Sequence, residues 1–117
     1  MTNSMQTAMA QAMAYQRQRP ALEKAGTDAL QRLVPIAVRQ TCGGRVVGRF
    51  LLGLYNGEDF PFELTELRAL DLSVFQDCMQ VLLMDYSPEL EVHERVENGG
   101  QIWQHLIELW APEVAGQ

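Results

Sequence analysis

Little in this chain invites covalent or metal chemistry. Two cysteines, Cys42 and Cys78, stand too far apart for a Cys-x-x-Cys zinc spacing and are too few for a disulfide scaffold, so both are read as free thiols. The two histidines, His93 and His105, form no His-x-x-x-His pair, and no nucleophile or carboxylate stands with them in a catalytic pattern. The expectation is a protein that is not an enzyme, with no catalytic residue, no cofactor and no metal. No apolar run reaches the ~18 residues of a membrane span, because Arg49 interrupts the best candidate, Val46 to Tyr55. Residues 1–19 lack acids and hold Arg17 and Arg19, which resembles a mitochondrial transit peptide, but they have no secretory apolar segment. A cytoplasmic location is expected. Internal repeats and low-complexity segments are absent as well.

What is there is ordinary globular material: 117 residues, 47% apolar and 21% charged, enough for one core and not for two. The net charge of −6 argues against binding a nucleic-acid backbone as the default. That average hides an asymmetry. Residues 1–57 carry seven Lys and Arg against Glu23 and Asp28, a balance of +5, whereas residues 58–117 carry Arg68 and Arg95 against thirteen acids, a balance of −11. Either two faces serve different partners, or the halves attract each other when folded.

The periodicity predicts an all-α single domain, a compact bundle of five or six short helices. Met1, Met5, Met9 and Met13 recur every four residues, so a Met-rich helix over residues 1–19 either covers the core, frays, or binds a partner, and Pro20 separates it from a helical domain over 20–117. Thr27 or Asp28 caps a second helix with Leu30, Leu33, Val34, Ala37 and Val38 inward; Pro35 kinks or splits it, and Cys42-Gly43-Gly44 ends it. Arg45 to Asn56 is the central helix, where Gly48 and Gly53 admit a neighbouring backbone. Thr65 caps a short helix through Leu70, and Asp71 or Ser73, the latter boxed with Gln76, starts the next, which buries Cys78. Ser87-Pro88 breaks the pattern, residues 89–97 are loop or short helix, and Asn98 with Gln101 caps a last helix that Pro112 terminates.

Two surfaces are candidates for function. Glu58, Asp59, Glu63 and Glu66 form one acidic cluster and Glu89, Glu91, Glu94 and Glu97 another, which together form either a solvated face or a surface imitating the charge of nucleic acid. The turn Thr41-Cys42-Gly43-Gly44-Arg45 opens a helix whose free amides favour an anion, with Arg39, Arg45 and Arg49 adding charge, although the Lys-Ser or Lys-Thr ending of a P-loop is missing.

The run Leu30-Gln31-Arg32-Leu33-Val34, then Ala37, Arg39, Thr41, Arg45-Val46-Val47, Phe50-Leu51-Leu52 and Asn56 resembles an uncharacterised domain-of-unknown-function family. The resemblance implies a family of short bacterial proteins often encoded on proteobacterial plasmids, integrative elements and phages. The likeness continues through Phe62 to Leu67 and Asp71 and closes at Leu106, Trp110, Pro112 and Glu113, covering residues 29–113. This chain departs from it at Leu54-Tyr55, where an aromatic pair is usual, and over Glu89 to Gly100. The resemblance implies no activity and no catalytic residue. It implies a setting in which small acidic proteins block host machinery. The expected function is a protein-binding module, an inhibitor of a host defence complex of the anti-CRISPR or anti-restriction type, whose acidic residues occupy the basic nucleic-acid-binding surface of a host protein or nucleoprotein effector. The alternative is an accessory protein that binds nucleic acid or a phosphorylated ligand through Arg39, Gly43, Gly44, Arg45 and Arg49.

Overall fold

Residues 4–37 form one helix of 34 residues, the longest element of the chain. The computed structural model describes residues 4–86 and 89–115, with side chains through Ala111. Its helices are α1 (Ser4–Ala37), α2 (Cys42–Tyr55), α3 (Leu72–Asp85) and α4 (Gly99–Ala115), with 3-10 turns at Leu64–Ala69 and Val92–Arg95. The domain is all-α as expected, and the described residues include no strand.

Prolines stop fewer helices than their chemistry suggests. Pro20 and Pro35 both lie inside α1, and α4 runs past Pro112 to Ala115. Each proline deprives the carbonyl four residues earlier of its N–H partner. Those carbonyls belong to Gln16, Gln31 and Glu108, residues on the exposed side of their helices, where water can take the vacant acceptor and the helix can continue. Thr27 and Asp28 accordingly sit in the middle of α1 and cap nothing: Thr27 Oγ1 donates to Met84 Sδ at 3.5 Å, and Asp28 pairs with Lys24 at 2.9 Å. The expected break at Ser87-Pro88 lies outside the described residues.

Other boundaries also move. Cys42-Gly43-Gly44 is the first turn of α2 rather than the end of the preceding helix, with the Gly44 amide donating to Thr41 Oγ1 at 2.9 Å. A Cβ on Gly44 would collide with the Arg39 carbonyl and stand 2.7 Å from that of Ile36, so only glycine lets the corner between α1 and α2 close this tightly. Glu63, not Thr65, precedes the first 3-10 turn, and Thr65 Oγ1 instead donates to the Glu63 carboxylate at 2.9 Å. Asp71 precedes α3, leaving Ser73 inside it. Asn98 adopts φ 58°, a left-handed conformation unlike the extended backbone of an N-cap. A capping box does form, between Glu91 and Glu94 on the second 3-10 turn.

Packing order differs from chain order. Helix α3 lies antiparallel on α1, the C-terminal end of α1 meets α2, and α2 carries α4. Leu30, Leu33 and Ala37 of α1, Val47, Leu51 and Leu52 of α2, Cys78 and Val81 of α3, and Trp103 and Leu106 of α4 form one buried core. Trp103, 1% exposed, donates from Nε1 to the Leu51 carbonyl at 3.3 Å. Burial of a ring that size contributes roughly 4 to 6 kcal/mol before entropy is charged against it. The methionine stripe covers none of this core: Met5, Met9 and Met13 are 72%, 58% and 58% exposed, on a helix end that stretches the molecule to 54 × 29 × 26 Å.

Candidate protein-binding face

The eight acids divide into four groups once folded. Glu66 is taken by the core side: its Oε1 accepts from Arg49 NH1 at 3.1 Å and from Arg45 NH1 at 3.3 Å, with Arg49 only 5% exposed. One carboxylate thus holds two guanidinium groups, and the pairing spans the basic and acidic halves of the sequence. Arg49 Nε and Glu66 Oε2 in this cluster are buried without a hydrogen-bond partner. Glu89 is the second case, reaching Arg19 of α1 at 3.3 Å.

Five of the others lie on two turns that a ring contact joins. Tyr55, the last residue of α2, meets the His93 ring edge-on with centroids 5.0 Å apart. That contact sets the turn bearing Glu58 and Asp59 beside the 3-10 turn bearing Glu91 and Glu94. Asn56 braces the first turn by donating from Nδ2 to Asp59 Oδ2 at 2.9 Å and accepting the Asp59 amide on Oδ1 at 3.1 Å. Reciprocal capping braces the second, the Glu91 amide donating to Glu94 Oε1 at 2.9 Å. Capping occupies lone pairs and leaves both carboxylates charged and exposed. Glu97 follows the second turn, where Gly99 packs on the His93 carbonyl. Glu63 stands apart, exposed, and its carboxylate accepts from Thr65.

The anion-site candidates do not converge. Arg45 and Arg49 point to Glu66, the Gly44 amide is spent on Thr41, and Gly43 borders open space. Arg39 is exposed. An open depression of about 480 Å³ lies there, lined by Thr41, Cys42, Arg45 and Trp110 among others.

Two features escape a reading by spacing. Arg95 has a side chain 6% exposed, 4.0 Å from Glu23, with Nε and NH2 lacking hydrogen-bond partners. Nearby, burial raises the Asp85 carboxyl above its ordinary value and the charge of Glu91 adds to this, while Arg95 opposes both. His93 is no loose loop residue, since it lies between Tyr55 and Trp103 with Nδ1 buried and without a hydrogen-bond partner. Among the described residues no three His, Cys, Asp or Glu side chains come together to hold a metal, and no helix is long and apolar enough to cross a membrane.

The thiols differ as sharply as two cysteines can. Cys42 is exposed; Cys78 is buried, and burial, reinforced by Asp77, pushes its thiol up to about 12. An alkylating reagent near neutral pH is expected to add once to the folded protein, at Cys42, and twice after unfolding, which intact-mass measurement reads directly. Two additions to folded protein would contradict the burial. Because the folded thiol keeps its proton after the unfolded one has lost it, this group's contribution to stability declines as pH rises from about 9 towards 12.

A family model described as "Family of unknown function (DUF7673)" matches residues 27–111. No curated protein and no solved structure matches the chain.

Proposed function

The chain belongs to the DUF7673 family of unknown function, and we propose that it is a non-catalytic protein-binding module that presents Glu58, Asp59, Glu91, Glu94 and Glu97 to a basic surface of its partner. The single observation behind this reading is the Tyr55–His93 contact, which gathers two acidic turns distant in sequence. Both turns are braced by hydrogen bonds, so their carboxylates lose little freedom on binding. The partner class is a protein or nucleoprotein effector whose basic surface otherwise holds nucleic acid. Inhibition of a host defence complex by a protein from a mobile element is the specific form of this proposal; what supports it is the acidic surface itself together with the resemblance drawn from the sequence of residues 29–113. Engagement of Arg45 and Arg49 by Glu66 favours this reading over an arginine-rich anion site.

The test is recovery of tagged protein from nuclease-treated bacterial lysate at low and high salt, with the Glu58→Lys/Glu97→Lys double variant in parallel. Neither substitution touches the bracing hydrogen bonds. A basic nucleic-acid-binding protein retained by the unaltered chain, released by salt and lost from the variant is the expected result. A partner retained equally by the folded variant would overturn the reading.

A further inference from the structure

Leucine crowds the short segment between α2 and α3, and the fold leaves part of it uncovered. In a 3-10 turn residues three apart lie along one edge, so Leu64 and Leu67 of the turn Leu64–Ala69 line up and Leu70 follows them. Leu72 and Phe75, three apart in the first turn of α3, complete the lining of an open depression of about 500 Å³. Leu67 is buried there, while Leu64 and Leu72 stay 70% and 69% exposed.

One charge belongs to this apolar surface. Arg68 lines the depression and is exposed. Apart from the buried Arg95 it is the only Lys or Arg among residues 58–117. It nevertheless pairs with no carboxylate among the described residues: Glu66 is held by Arg45 and Arg49, and Glu63 accepts from Thr65. A wholly apolar occupant leaves that guanidinium without an acceptor, and a cationic one is repelled by it. A carboxylate matches it in charge and fits both arms of its fork, whereas a phosphate brings more negative charge than one guanidinium offsets. Because the depression is open rather than enclosed, it takes side chains of a larger partner and does not wrap a free acyl chain. The described residues include no strand whose edge an extended peptide could join, which leaves a helix laid across the depression. We propose that Leu64, Arg68 and Leu72 bind an acidic amphipathic helix of a partner protein. A large apolar side chain of that helix enters the depression, and an Asp or Glu three or four positions away meets Arg68. That spacing sets the two groups about 5 to 6 Å apart on one helix face. The surface is distinct from the acidic one, since none of Glu58, Asp59, Glu91, Glu94 and Glu97 lines it.

Panning of a random peptide library on the full chain tests this, after depletion on the Leu72→Asp variant, which removes peptides that bind elsewhere. Leu72 and Arg68 are both exposed, and circular dichroism confirms that each variant folds. The expected result is enrichment of peptides with Asp or Glu three or four positions from Leu, Ile, Met or an aromatic residue, bound about fivefold more weakly by Arg68→Gln. Replacing the peptide's acid by its amide should weaken binding to the unaltered chain by as much, and binding to Arg68→Gln no further. Sodium dodecanoate, a carboxylate on a free acyl chain, should not displace the selected peptides. Recovery of no peptide, of peptides without an acid, or of peptides bound equally by Arg68→Gln would overturn the proposal. Displacement by dodecanoate would overturn it in favour of a fatty carboxylate.

Discussion

Replacing Glu66 with alanine is expected to cost about 3 kcal/mol of folding stability, the low end of what breaking a buried ion pair costs. The carboxylate is the shared acceptor of Arg45 and Arg49, and its loss leaves two guanidinium groups together, one of them 5% exposed. Partial access of Arg45 and Glu66 to water keeps the effect from the high end. Glu66→Gln retains the acceptor oxygen and loses the charge, so it should cost about half as much. Urea unfolding of both variants checks the order. Combining Glu66→Ala with Arg49→Met should recover part of the loss, because the orphaned charge departs with the guanidinium while its stem volume is kept. A loss below about 0.5 kcal/mol for Glu66→Ala would mean that the cluster is as dispensable as an ordinary surface pair.

Gly48→Ala should destabilise by about 2 kcal/mol, although alanine in place of glycine inside a helix ordinarily stabilises by nearly 1 kcal/mol. The sign reverses because a Cβ at this position would run into Cδ1 and Nε1 of the Trp110 indole. Trp110 cannot retreat freely, since its Nε1 donates to the Ala37 carbonyl at 2.9 Å and its ring is 8% exposed. Backing the ring away opens the contact between α4, α2 and the end of α1, and lets water reach the indole. A lower melting temperature together with red-shifted tryptophan emission is the expected signature. A variant at least as stable as the parent, with unchanged emission, would show that the indole shifts without loss.

Gly48 also illustrates how far the sequence can be read. A glycine in an apolar helix announces a close approach, and the approach exists: the Trp110 indole comes nearest, and the backbone carbonyl of Ala37 stands 3.3 Å from where a Cβ would lie. Periodicity found the helices and most of the buried positions, because burial of Leu30, Leu33, Leu51, Cys78 and Trp103 depends on spacing within one helix. Boundaries failed where the deciding group lies elsewhere: whether Pro20 ends a helix depends on whether the Gln16 carbonyl can find water. The charge asymmetry was legible as a balance and silent on pairing. Nothing in the spacing assigns Glu66 to Arg45 and Arg49, or Glu89 to Arg19. The acidic surface was half legible in the same way, since both clusters are evident in sequence while the tyrosine and histidine that join them are 38 positions apart.

The mismatch between packing order and chain order bears on how the molecule reaches its fold. Helical bundles usually assemble fast because successive helices are also neighbours, and the loops that must close are short. Here α1 pairs with α3 through Arg32 and Asp77, 45 positions apart, while Trp103 reaches Leu51 across 52 and Trp110 reaches Ala37 across 73. Each of these closures costs chain entropy before any burial repays it. The domain therefore has the helix content of a rapid folder and longer closures than an up-down bundle, and it should fold more slowly than such a bundle of the same length.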